Sequence, residues 1–307
     1  MAINQRRPAG SRGRGADAER RSASALVARR YAMKLSNATL ELTGPMRVRP
    51  DFVIVGAQRC GTTSMFETLV RHPDVLRPFL RKGIHYFDKS YARGELWYRG
   101  HFPLVVTSRL RGRNHQVLTG ESSPYYMFHP LARQRLAADL PDVKLIVMLR
   151  DPVVRAYSGH SHELARGFED LPFAEALAAE PARLQGERER LMAEPGYDSF
   201  HWQHHAYRTR GQYVEQLTAL EQLVGRDRMC VVDSGGFFRD PEPVFDHVRE
   251  FLGLAPCSGI VFEQHNARQR SPLSEDLREE LQEHFRPWDE QLERWWGQTP
   301  SWRRRDA

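Results

Sequence analysis

The 307-residue chain predicts an α/β fold: a single domain with a mostly parallel central sheet flanked by helices. Three observations carry this expectation. Short apolar runs alternate with helical patterns from residue 51 onward. Two of those runs, in DFVIVG (51–56) and VKLIVMLR (143–150), are continuously apolar, as strands covered on both faces are. The first run turns through glycine directly into a helical pattern, the layout of a P-loop.

The elements follow in order. DFVIVG (51–56) is the first strand. TTSMFETLVRH (62–72) is a helix with Met65, Phe66, Leu69 and Val70 on one face. HQVLTGE (115–121) is the second strand, and PLARQRLAADL (130–140) is a helix with proline near its first turn. VKLIVMLR is the third strand. DPVVRAYSGHSHELAR (151–166) starts a helix with Asp151 as N-cap and Pro152 at its first position. Residues 167–200 are polar and read as an irregular insertion or lid. GQYVEQLTALEQLVG (211–225) is an amphipathic helix and RMCVVDS (228–234) a fourth strand. PEPVFDHVREFLGL (241–254) and LSEDLREELQEHF (273–285) close the pattern as helices. Residues 1–48 form a basic N-terminal arm, disordered or loosely helical. Residues 49–298 form the domain and 299–307 a basic C-terminal tail.

The formal net charge is +6, but residues 1–50 alone carry +8 and the remainder −2. The basicity therefore lies in the arm, which argues against a nucleic-acid-binding body. A solvated arm, or one that touches a membrane surface or polyanion, fits this distribution. No apolar run approaches the ~18 residues that span a bilayer, and no apolar stretch follows the N-terminal arginines. The expected location is cytoplasmic. Cys60, Cys230 and Cys257 form no Cys-x-x-Cys pair, so reduced thiols are expected.

In parallel sheets, ligands bind beyond the carboxyl ends of the strands, where Gly56 and Arg150 both fall. The stretch GAQRCGTTS (56–64) carries two glycines that allow close backbone approach, three hydroxyl residues at a helix start, and one arginine inside the loop. The Walker lysine is absent, because Thr62 stands in its place. Arg150 precedes a capped helix on which Ser158 lies two turns along. Two anion sites on neighbouring strands suggest a ligand with phosphates at both ends.

GAQRCGTTS and LRDPVVRAYS together resemble the 5′-phosphosulfate loop and the 3′-phosphate motif of sulfotransferases that use 3′-phosphoadenosine-5′-phosphosulfate (PAPS). The Arg-Asp-Pro form, with GESSPYY (120–126) and KGIHYFDKSY (82–91), is most similar to the heparan-sulfate-type and bacterial members. The resemblance runs from about residue 50 to 296 and includes GQYVEQL (211–217) and HNARQRSPLSEDLREEL (265–281). It implies a P-loop-like phosphosulfate-binding loop, PAPS as co-substrate, adenosine 3′,5′-bisphosphate (PAP) as product, and no metal. It also implies that Gln58, Arg59, Cys60, Gly61, Thr62, Thr63 and Ser64 hold the phosphosulfate. Arg150 and Ser158 would hold the 3′-phosphate, with Tyr213 and Arg268 completing the nucleotide set. Many members carry lysine where Arg59 stands; an arginine there acts electrostatically on the leaving phosphate.

Much of the resembling group has Lys-Glu-x-His where this chain has Lys82-Gly83-Ile84-His85, so the usual carboxylate base is missing. His85 is the nearest surviving base, and imidazole suits that task near neutral pH. Glu121 would orient His85, act itself, or serve the fold. Lys82 would contact the sulfonate or the acceptor. The acceptor class stays open among glycan, lipid, polyketide and other small alcohols, with a hydroxyl favoured over an amine. HWQHH (201–205) lacks a carboxylate or cysteine spaced to complete a zinc site. Two competing readings are a P-loop phosphotransferase with a degenerate loop, using Asp233 for magnesium, and a non-catalytic polyanion-binding protein.

Overall fold

The computed structural model describes residues 37–79, 81–112, 117–194, 196–265 and 271–304. The basic arm over residues 1–36, Arg268, and residues 305–307 of the expected tail lie outside the described residues. Five parallel strands form the sheet among the described residues: β1 (Phe52–Gly56), β2 (Val75–Leu76), β3 (Leu118–Ser122), β4 (Lys144–Leu149) and β5 (Met229–Asp233). Their order is β2-β3-β1-β4-β5. β1 is central, with Phe52 opposite Gly120 on one side and Lys144 on the other. Phe52 to Val55 and Leu145 to Leu149 are 0% exposed, which is why both runs read as uninterrupted apolar stretches. Each such side chain contributes roughly 1.5–3 kcal/mol through its burial. The two-residue β2 is the strand that pattern reading missed, since so short a segment has no periodicity to show.

Among the described residues the helices include α1 (Thr62–Leu69), α2 (Glu95–Arg99), α3 (Val105–Arg111), α4 (Pro130–Asp139), α5 (Pro152–Ala165), α6 (Phe173–Leu184), α7 (Glu187–Ala193), α8 (Phe200–His204), α9 (Tyr213–Val224), α10 (Ser234–Arg239), α11 (Pro241–Leu252) and α12 (Glu275–Trp296). Asp151 caps α5 as expected, accepting from the Val153 and Val154 N–H groups, with Pro152 in the first turn.

The expectation of an irregular insertion over 167–200 is corrected: it holds α6, α7 and the start of α8. Phe173, Ala176, Leu177 and Leu184 are buried at helical spacing. The stretch reads as polar because buried carboxylates tie it down. Glu180, 2% exposed, accepts from the Arg208 and Thr209 N–H groups and from the Thr209 hydroxyl. Glu169 takes both arms of Arg183 at 2.7 and 3.1 Å. Phe173 and Leu177 join Val153 of α5 and Phe285 of α12 in a second apolar cluster beside the main core.

α12 runs well past the expected end at residue 285. Leu292 is buried and Trp288, Trp295 and Trp296 pack against the core, which outweighs the one backbone bond that Pro287 forgoes. The C-terminal segment docks as well. Ser301 donates twice to Asp233, and the Trp302 indole N–H donates to Asp289 at 3.0 Å. No described helix is long and apolar enough to cross a membrane.

Candidate active site

The loop after β1 is shaped by close contact. A Cβ on Gly56 would lie 2.6 Å from both Cβ and Sδ of Met127, so only glycine fits. Gly61 caps α1 with φ +81°, and a Cβ there would also meet the Phe238 ring at 2.8 Å. Arg59 itself sits at φ +72°, a conformation that is costly for an arginine and is found mainly at functional sites. The N-cap of α1 is Gly61, which has no side chain to offer, and Gly61, Thr62 and Thr63 at the helix start line a cavity of about 290 Å³. First-turn N–H groups at a helix N-terminus suit an anion.

Gln58, Arg59 and Lys82 line the same cavity, and so do Arg150 and Ser158 from the end of β4 and from α5. β1 and β4 are adjacent, so the two expected anion sites become two ends of one cleft. Arg59 bridges them: its Nε donates to Ser158 Oγ at 3.2 Å. Lys82 donates to Thr63 Oγ1 at 2.7 Å, and burial pushes its ammonium down to about 8. The wall carries three cations and no carboxylate, so its field favours a multiply charged anion.

Several expected nucleotide contacts face elsewhere. Cys60 is 0% exposed, its backbone N–H donates to Ala57, and burial pushes its thiol up to about 11. Tyr213 is 1% exposed and donates to the Arg150 carbonyl at 2.8 Å, fixing the end of β4 rather than touching the cavity. Ser64 Oγ accepts from the His265 N–H at 2.9 Å inside the protein. These three residues support the loop instead of lining it.

Of the roles open to Glu121, the structure favours serving the fold. Glu121 is 0% exposed and accepts four hydrogen bonds: from the Ile84 N–H at 3.0 Å, Ser123 Oγ at 2.6 Å, Tyr98 OH at 2.9 Å and Tyr126 OH at 3.1 Å. Burial raises its pKa despite those donors. No substrate reaches such a group, and its work is to hold the segment that carries Lys82 and His85. Ser122 and Ser123 complete that hold, through the Lys82 carbonyl and the His85 N–H respectively.

His85 sits at φ +55°, with its side chain 39% exposed. Its Nδ1 lies 2.7 Å from Oδ2 of Asp88, whose side chain is wholly buried. A carboxylate only accepts, so Nδ1 carries the proton and Nε2 is left as the acceptor. A Cβ on Gly83 would come within 3.6 Å of that Nε2 and within 2.8 Å of the Ser122 carbonyl. His85 does not line the cation-walled cavity; it stands three residues from Lys82, which does. Asp88 was missed by sequence reasoning. Its signal was the i, i+3 spacing from His85, which means nothing until the local turn is known. The histidines of HWQHH are engaged within the protein: His204 with Glu163, His205 with the Phe168 carbonyl, and His201 with His205. Among the described residues, no group of three or more His, Cys, Asp or Glu is arranged to hold a metal.

The sulfotransferase domain model matches residues 49–284. The chain belongs to the sulfotransferase domain family. Its relatives include mouse heparan sulfate glucosamine 3-O-sulfotransferase 6, 38% identical over 137 residues, covering 44% of this chain and 37% of that enzyme. Human heparan sulfate glucosamine 3-O-sulfotransferase 3B1 is 35% identical over 216 residues, covering 70% of this chain and 48% of that enzyme. This sulfotransferase chain thus spans less than half the length of either. A solved sulfotransferase from Alicyclobacillus acidocaldarius superposes with a TM-score of 0.61 at 30% identity, covering 84% of this chain and all of that one.

Proposed function

We propose that this sulfotransferase moves the sulfonate group of PAPS to an acceptor hydroxyl. The observation that carries the reading is the single cleft joining the glycine-capped start of α1 to Arg150 and Ser158, with three cations and no carboxylate on its wall. In this reading Thr62, Thr63 and the first-turn N–H groups hold the phosphosulfate, and Arg150 with Ser158 holds the 3′-phosphate. The acceptor hydroxyl gives its proton to His85 Nε2 as its oxygen bonds to sulfur in line with the departing 5′-phosphate oxygen. The S–O bond to that phosphate breaks, and the electron pair leaves with PAP. Arg59 and Lys82 face the charge that gathers there. Asp88 holds the imidazole in the accepting tautomer and stabilises its charged form. The names of the relatives point to a sugar hydroxyl as the acceptor class.

The degenerate phosphotransferase reading loses its magnesium ligand. Asp233 accepts instead from the Gly235 and Gly236 N–H groups and from Ser301. Calorimetric titration decides between the two readings. PAP should bind with EDTA present, and ATP with magnesium should bind far more weakly. Loss of PAP binding on chelation would overturn the sulfonate-transfer reading. Mass spectrometry of glycan acceptors incubated with PAPS, seeking the added sulfonate, tests the acceptor class.

A further inference from the structure

Beneath the loop lies a guanidinium that no motif singled out. Arg210 is 5% exposed. Its Nη2 donates to the carbonyls of Trp202 and Gln203 at 2.8 Å each, and its carbon lies 4.7 Å from the Phe128 ring centroid. Its Nη1 donates to Oε1 of Gln58. None of these contacting partners carries a charge; the carboxylates of Glu163 and Glu180 favour the buried cation only through space, so neutral acceptors take all of these hydrogen bonds. The contact with Gln58 gives that cation a function. A guanidinium has donors and no acceptor, so the amide must turn its oxygen toward Arg210. Its NH2 group is then left for other partners, and Gln58 lines the cation-walled cavity.

We propose that Arg210 is a positioning residue that orients the Gln58 amide, so that its NH2 group donates to the sulfonated 5′-phosphate. The inference rests on the sulfonate-transfer reading above. It makes Gln58 a donor of fixed direction, although a free glutamine could present either face of its amide.

A double-mutant cycle tests it. Kd is measured by calorimetry for PAP and for adenosine 3′-phosphate, which lacks the 5′ group, with wild type, Gln58→Ala, Arg210→Met and the double variant. Gln58→Ala should weaken PAP by roughly 10-fold or more, the scale of a hydrogen bond to a charged group. Arg210→Met should do the same, yet add less than about twofold once Gln58 is alanine. Adenosine 3′-phosphate should bind all four proteins alike, whereas a general loss of structure would weaken both ligands. Gln58→Glu keeps the shape but replaces the NH2 group by an acceptor, and it should weaken PAP at least as much as alanine does. That variant keeps the test open if Arg210→Met does not fold. Additive losses in the cycle, or Gln58→Glu binding PAP like wild type, would overturn the role of Arg210 while leaving PAPS use intact. Wild type that fails to bind PAP would overturn both.

Discussion

The loop from Gly56 to Ser64 and the segment from Lys82 to Asp88 both contribute to the active-site region, yet they are held in opposite ways. The first is fixed by its own backbone. A central strand ends, glycines permit turns closed to other residues, and a helix begins at a glycine N-cap. The second belongs to no strand. It hangs on Glu121 and Ser123 of distant sequence, and on Asp88 from its own next turn. The side proposed to hold the nucleotide is therefore shaped by its own backbone and braced from afar by Ser158, Arg210 and Tyr213, whereas the side proposed to move the proton takes its whole shape from side-chain contacts.

The largest expected effect falls on the second side. His85→Ala should lower kcat by about 10²–10⁴-fold, measured by steady-state kinetics. Asp88→Asn should give a smaller loss, because an amide can present its oxygen to the same Nδ1–H. A normal rate in His85→Ala would erase the contrast, leaving the chemistry wholly to the cationic cleft. On the first side, Arg59→Ala should cost roughly 10²-fold in kcat, and Arg59→Lys should keep substantial activity, since a positive charge is what is required. Equal losses in both variants would mean that the contact to Ser158, and not the charge, is what matters there.

Glu121→Ala should destabilise the fold by about 1–3 kcal/mol, because it strands buried donors, and it should lower kcat as Lys82 and His85 lose their setting. Chemical denaturation read beside kinetics checks this. Full stability with lost activity would return Glu121 to the chemistry. The mildest effect concerns Lys82. Its lowered pKa means the charge is present below about pH 8 and lost as pH rises through that value. Anion binding should therefore weaken by up to ~10-fold per pH unit above 8, where one proton must be regained on binding. Lys82→Arg should remove that alkaline fall, measured as PAP Kd against pH.

Much of the nucleotide side was legible because its rules are local. Continuous apolar runs, a glycine turn, and Asp151 before Pro152 depend on neighbours in the chain, and the structure reproduces them with shifts of a few residues at the ends. The polar insertion was misread because Glu180 and Glu169 look solvated until their partners, Arg208, Thr209 and Arg183, fold onto them.

By itself, then, the sequence determined the parallel α/β order, the phosphate-binding loop and the capped helix after Arg150, since backbone sterics and hydrophobic spacing act over a few residues. Only the tertiary structure decided which polar residues face the cleft. It turned Cys60, Ser64, Tyr213 and Glu121 inward, set Asp88 behind His85, and placed Arg210 behind Gln58. Those outcomes depend on burial and on hydrogen-bond partners many residues away, and no local pattern encodes either.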